Sequence, residues 1–339
     1  MPRKREGKAL TLRQLDRVRT ARTKRVAEPG DLGPEATGRV VAHFGLNVEV
    51  MPEGGECIRC AVRETLEPEP VCGDRVVWRQ TGEQSQGVIV EVLPRRSQLQ
   101  RPGPYRRLLT VVANVDRIVV VGASGTLNPG LLDRYLAAAR KAGIEAMLVI
   151  NKADLAIDPH GEAELLAPYE RMGYPVLRTS VVRCEGLEAL EASLTNLTSV
   201  FVGESGVGKS SLIGLWIPDS QARTAEVHPG TGQGRHATTT ARMYPLPRGG
   251  DIIDSPGVRE FGLHGVERES LPALFRDMEP LLGSCRFSDC RHLREPGCAL
   301  RAAAESGAVS PIRLASMLRI MESLPPRNPF FSPDGRSPR

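Results

Sequence analysis

Gly203-Glu204-Ser205-Gly206-Val207-Gly208-Lys209-Ser210 follows the apolar run Val200-Phe201-Val202 and precedes the helical stretch Ser211-Leu212-Ile213. The pattern G-x-x-x-x-G-K-[ST] between a strand and a helix is that of a phosphate-binding loop. Its glycines let backbone N–H groups turn inward around a polyphosphate, its lysine adds a point charge at the β and γ phosphates, and its serine hydroxyl can ligate Mg²⁺. On this reading Gly203, Glu204, Ser205, Gly206, Val207, Gly208, Lys209, Ser210 and Ser211 cradle the phosphates, with Ser210 also on Mg²⁺. Upstream, Ile118 to Val121 reads as a buried strand. A helix follows that Asn128 can cap, Pro129 can open and Gly143 can close, and then the strand Met147-Leu148-Val149-Ile150. With Ile252-Ile253 downstream, the alternation predicts a mainly parallel sheet covered on both faces.

A phosphate loop does not choose between purines. Asn151-Lys152-Ala153-Asp154, at the end of a buried strand, fits the guanine-specificity pattern N-K-x-D. The carboxylate of Asp154 can accept two N–H bonds from guanine, whereas adenine presents no matching pair of donors. Thr179-Ser180-Val181, after Val176-Leu177, resembles the loop that closes over the base and adds Ser180. Asp254-Ser255-Pro256-Gly257 fits D-x-x-G: Asp254 is expected to hold Mg²⁺ through a water and the Gly257 amide to sense the γ-phosphate. Between them, Gly234-Arg235-His236-Ala237-Thr238-Thr239-Thr240 suits a first switch in which Thr238 or Thr239 coordinates Mg²⁺. Ras-like enzymes place a water-orienting Gln directly after D-x-x-G; here that position is Val258, so His236 is the candidate for aligning the nucleophile, with an RNA or structural contact as its alternative role. Asp154 precedes Lys209, the reverse of the Ras-like order, so the same sheet must be threaded in circular permutation.

Beyond about Val266 the chain reads as helical and cysteine-rich. Cys285, Cys290, His292 and Cys298 fall within 14 positions, and three thiolates with one imidazole suit a closed tetrahedral Zn²⁺ site with no vacancy for catalysis. Toward the N-terminus, Gly38–Val41, Leu46–Val50, Asp74–Trp78 and Gly87–Val92 are short strands separated by Gly and Pro, the pattern of a small barrel of OB-fold size. Cys57 and Cys60 have C-x-x-C spacing with Cys72 nearby, but no second pair, which favours a structural role.

Across 339 residues the net charge is +5, yet the stretch from Arg3 to Arg25 is dominated by Arg and Lys, a phosphate-attracting arm expected not to fold alone. No apolar run approaches the ~20 residues of a membrane span and no apolar signal segment follows the basic start, so a soluble, cytoplasmic chain is expected. Seven cysteines, an odd number with three of them clustered, favour a reducing compartment. The expected fold is multidomain: a basic arm (1–35), an all-β OB-fold barrel (36–100), an α/β circularly permuted P-loop GTPase domain (101–265), an α-helical zinc-binding domain (266–325) and a disordered tail (326–339).

Together these motifs, from about Ala36 to Leu324, resemble the ribosome small-subunit-dependent GTPase A family, also called RsgA or YjeQ. The resemblance implies GTP hydrolysis to GDP and phosphate, stimulated by the bacterial 30S subunit, in late maturation of that subunit, with binding to 16S rRNA near the decoding region. It places guanine recognition on Asn151, Lys152 and Asp154, the phosphate site on Gly203 to Ser211, and one structural Zn²⁺ on Cys285, Cys290, His292 and Cys298; by the motif reading, Lys209 and Gly257 join His236 as the candidate catalytic residues. A monomer without membrane attachment is expected. Two departures stand out. Ala237 replaces the first of the family's Thr triplet after the switch histidine, and Gly214 stands where Asn is common. The alternative is a GTP-regulated RNA-binding module with incidental turnover; a P-loop kinase is disfavoured by Asn151-Lys152-Ala153-Asp154.

Overall fold

A computed structural model of the chain describes residues 32–82, 86–103, 108–217, 241–255 and 261–325. His236, Thr238, Thr239, Gly257 and Val258 lie outside the described residues, as do the arm up to residue 31 and the tail from residue 326. The chain divides into two compact units, 1–70 with 75–94, and 71–74 with 95–339.

The first unit is a closed five-stranded barrel. Its strands are β1 (Glu35–Phe44), β2 (Asn47–Pro52), β3 (Ile58–Ala61), β4 (Arg75–Gln80) and β5 (Gln86–Val92). They pair in the order β1-β2-β3-β5-β4, and β4 pairs back onto β1. Alternation drives this: Val48 and Val50 of β2 are buried while Met51 is exposed, and Val76 and Trp78 of β4 turn inward. A register shift between Val40 and Ala42 curls β1 enough for closure. Strand β3 was not legible as a strand in the sequence. It carries Cys60 into the core beside Val40, Val48 and Ile89, whereas Cys57 is exposed, so the C-x-x-C pair is split between core and surface. This is the OB-fold of the sequence reading.

The second unit opens with a hairpin, β6 (Gln98–Pro102) and β7 (Leu108–Ala113), onto which 71–74 is fastened. Ala113 N donates to Cys72 O, the Asn114 amide donates to Gly73 O, and Arg95 grips the buried Asp74 carboxylate with two bonds of 2.8 Å. The main sheet follows: β8 (Arg117–Ala123), β9 (Glu145–Asn151), β10 (Val176–Arg178), β11 (Thr198–Val202), β12 (Arg242–Pro245) and β13 (Asp251–Asp254). Its order is β10-β9-β8-β11-β13-β12, with every pair parallel except the antiparallel β12–β13. Helices α1 (Pro129–Lys141), α2 (Pro159–Arg171), α3 (Leu187–Leu194) and α4 (Lys209–Gly214) are its crossovers. The caps of α1 are those expected: the Asn128 side chain accepts from Leu131 N, Pro129 begins the helix, and Gly143 follows it at φ 66°.

Val119, Val121, Met147, Val149 and Phe201 from three strands pack with Leu190, Leu194 and Leu212 from two helices, each buried side chain contributing about 1.5–3 kcal/mol. Beyond β13 the described residues make two 3₁₀ segments (Arg268–Leu274 and Glu279–Leu281), an irregular cysteine loop, and helices α5 (Ala299–Glu305) and α6 (Pro311–Ser323). Helix α6 packs on α1. At that contact the Arg313 guanidinium binds both oxygens of Asp277 at 2.7 and 2.8 Å and also meets Asp133 of α1, with the rings of Tyr169 and Phe275 about it at 5.0 and 5.1 Å.

Candidate functional site

Parallel strands β8, β9, β11 and β13 end on one edge, so the loops that leave them are neighbours. The loop after β11 begins at Gly203, at φ 146°, where a Cβ would lie 2.2 Å from the Val121 carbonyl oxygen of β8. Only a glycine lets the backbone cross so close to the neighbouring strand. It ends at Gly208, at φ 95°, where a Cβ would lie 2.2 Å from the Asn151 Nδ2 atom. The spacing of the phosphate-loop glycines is therefore set partly by contact with the guanine motif.

Asn151, almost wholly buried, joins three loops. Its Nδ2 donates to the Val207 carbonyl at 2.9 Å, and its Oδ1 accepts from the Thr179 hydroxyl at 3.2 Å. Backbone bonds reinforce the junction: Thr179 N donates to Ile150 O, and Ala153 N to Thr179 O. Lys152 takes a left-handed conformation at φ 58°, which turns the chain into the 3₁₀ turn Ala153–Leu155 and presents Asp154 at the surface. The Ser180 hydroxyl donates to Asp154 Oδ1 at 2.5 Å, and this bond holds the carboxyl below its ordinary pKa. Asp154 is thus ionised and aimed by a second loop, as an acceptor for two N–H donors requires.

Lys209 Nζ donates to the carbonyls of Gly203 and Glu204 at 2.8 and 2.6 Å, folding back over its own loop. Ser205, Gly206, Ser210 and Ser211 are exposed along the loop and the first turn of α4. Asp254, also exposed, closes β13 beside β11, and Ser255 after it is buried. The structure thus brings together Asn151, Asp154, Ser180 and the loop from Gly203 to Ser211, with Asp254 at the same edge. Sequence reasoning missed the Thr179 hydroxyl and the Val207 carbonyl as partners of Asn151. They lie 28 and 56 residues away, and no spacing rule reaches them.

The cysteine loop forms a second site. The sulfur atoms of Cys285, Cys290 and Cys298 lie 3.6, 3.7 and 3.4 Å from His292 Nδ1, and all four candidate ligand atoms are within 4.8 Å of one another. Zinc bonds of roughly 2.3 Å to sulfur and 2.0–2.1 Å to nitrogen in a tetrahedron imply S···N edges of about 3.6 Å. The donor set and its spacing fit Zn²⁺. Local bonds shape the loop: the Glu295 carboxylate accepts from the backbone of Arg291, Leu293 and Arg294, and Ala299 N donates to Cys285 Sγ at 3.4 Å. Four protein donors leave no open coordination position, which suits a structural metal. Among the described residues no helix is long and apolar enough to cross a membrane.

Residues 92–264 match the family model of the RsgA GTPase. A protein of Azotobacter vinelandii named small ribosomal subunit biogenesis GTPase RsgA is 50% identical over 314 residues, 91% of each chain. The crystal structure of YjeQ from Thermotoga maritima superposes with a TM-score of 0.69 at 30% identity, covering 86% of this chain and 98% of that one. The crystal structure of YloQ, described as a circularly permuted GTPase, gives 0.68 at 26% identity over 89% of this chain and 100% of the other.

Proposed function

The chain belongs to the RsgA GTPase family and is a GTP hydrolase, and from that premise we propose that it binds the small ribosomal subunit and assists its maturation, with the subunit stimulating hydrolysis. The observation that carries the nucleotide half of this reading is the Asn151 amide, which ties the phosphate loop to the guanine motif at one sheet edge. That junction fixes the distance between a base-reading carboxylate and a phosphate cradle. The ribosomal half rests on the relative from Azotobacter vinelandii, whose name includes small ribosomal subunit biogenesis.

In this reading Asp154, aimed by Ser180, accepts the two N–H groups of guanine. GTP phosphate oxygens displace the loop carbonyls as partners of Lys209, and the backbone amides from Gly203 to Ser211 take the remaining oxygens. Ser210, Thr238 or Thr239, and Asp254 would hold Mg²⁺ with the nucleotide, and the ion would supply positive charge at the β and γ phosphates. Gly257 senses the γ-phosphate, and His236 aligns the attacking water where Val258 cannot. The chain holds one structural Zn²⁺ on Cys285, Cys290, His292 and Cys298, works in the cytoplasm as a monomer, and meets 16S rRNA phosphates with its barrel and basic arm.

GTP turnover measured with and without purified 30S subunits tests the proposal. Hydrolysis should be slow alone and accelerated by the subunit, with the stimulation falling steeply as salt rises. Equal rates in both arms would leave only a GTP-regulated RNA-binding module with incidental turnover.

A further inference from the structure

We propose that Glu162 is a positioning residue for guanine recognition, holding the loops after β8 and β10 so that Ser180 can aim Asp154. The inference rests on the guanine-site reading above. Glu162 lies in the first turn of α2, where an acidic residue would ordinarily face solvent and favour the helix N-terminus. Here it is turned inward and only 9% exposed. One oxygen, Oε2, accepts from the Ser124 hydroxyl at 2.6 Å and from Gly125 N at 3.3 Å. The other, Oε1, faces Arg178 Nη1 at 2.7 Å. A carboxyl group drawn this far from water needs partners, and here Oε2 is hydrogen-bonded while Oε1 faces a guanidinium.

The partners explain what this clamp holds. Ser124 directly follows β8, and its backbone N–H donates to the Asn151 carbonyl at 2.8 Å. Arg178 is the last residue of β10, paired with Ile150, and the next two residues are Thr179 and Ser180. Thr179 bonds Asn151, and Ser180 bonds Asp154. Glu162 therefore ties the chain on one side of the N-K-x-D segment to the chain on its other side, without lying in either segment. Without its charge, Arg178 loses its anchor and the Ser180 hydroxyl is held less firmly toward Asp154. The two N–H bonds from guanine to Asp154 demand that aim, whereas the phosphate loop, fastened by Asn151 to Val207, does not.

Glu162→Gln keeps the shape and one acceptor for Ser124 but turns an amide N–H toward Arg178, placing donor against donor. In the full-length protein, dissociation of a fluorescent GDP analogue should quicken by about threefold to tenfold, the effect of a close ion pair discounted because Arg178 is 37% exposed. The preference for GDP over IDP, which lacks the guanine 2-amino group, should shrink, and KM for GTP should rise by more than kcat falls. Arg178→Gln, at a more exposed position that tolerates change, should reproduce the effect and serves if Glu162→Gln does not fold. A wild-type dissociation rate in a folded variant overturns the proposal. So does equal weakening of GDP and IDP, because that is what loss of general stability produces. Asp154→Asn is the control for the underlying reading: if it leaves GDP preferred over xanthosine diphosphate, the guanine assignment itself fails. If it shifts that preference while Glu162→Gln changes nothing, only the role of Glu162 fails.

Discussion

Replacing Arg313 with Met should destabilise the second unit strongly at alkaline pH and much less at acid pH. The Arg313 side chain is 4% exposed and its partners Asp133 and Asp277 are 0% and 12% exposed, so the substitution leaves two carboxylates with no cation among apolar and aromatic neighbours. Breaking a buried pair in this way costs about 3–5 kcal/mol. Proton linkage shapes the pH dependence. Burial already raises the Asp133 carboxyl to about 6, against the pull of the Arg313 guanidinium. Between about 4, the usual carboxylate value, and about 6, the folded chain holds a proton that the unfolded chain has lost, so stability falls as pH rises through that window. Removing the guanidinium takes away the pull that lowers this value, so the window extends upward and the variant's deficit widens from pH 5.5 to pH 8. Urea unfolding followed by Trp216 fluorescence in a Trp78→Phe background reports on the second unit, since Trp78 lies in the barrel and Trp216 against the main sheet. A midpoint lowered by roughly 1 M at pH 8 is expected, taking a slope of about 3 kcal/mol/M. Adding Asp133→Asn to Arg313→Met should recover part of the loss. An unchanged midpoint at pH 8, or the same deficit at both pH values, would refute the assignment of Arg313 as the cation that neutralises this cluster.

Gly208→Ala places a methyl group against Asn151 Nδ2 at a positive φ, so GDP affinity should fall by more than about tenfold in a titration while the barrel stays folded. One Zn²⁺ per chain is expected from metal analysis of protein purified without added zinc. Cys290→Ser should lose it and unfold the cysteine loop, and full retention would remove Cys290 from the ligand set. His236→Ala should cut ribosome-stimulated turnover while leaving GTP affinity nearly intact, the pattern of a group used only in the transition state. A wild-type stimulated rate would pass the role to another group.

The nucleotide motifs, their permuted order and the Cys/Cys/His/Cys cluster were legible in the chain alone because each is short and local. A glycine spacing, an N-K-x-D tetrad or four ligands within 14 positions carries its chemistry in consecutive residues. The same holds for α1, whose cap, first-turn proline and closing glycine are all neighbours in sequence. What joins these pieces was not legible. Val207 as the partner of Asn151, Ser180 as the aim of Asp154, Glu162 between Ser124 and Arg178, and Arg313 between Asp133 and Asp277 are pairings across 16 to 180 residues. Strand β3 escaped notice because four residues are too few to show a period. Motif identity follows from local chemistry, and sequence is enough for it. The choice of which distant polar groups satisfy one another follows from the order of parallel strands and the desolvation cost of leaving a buried donor or charge unpaired, and only the folded sheet sets that order.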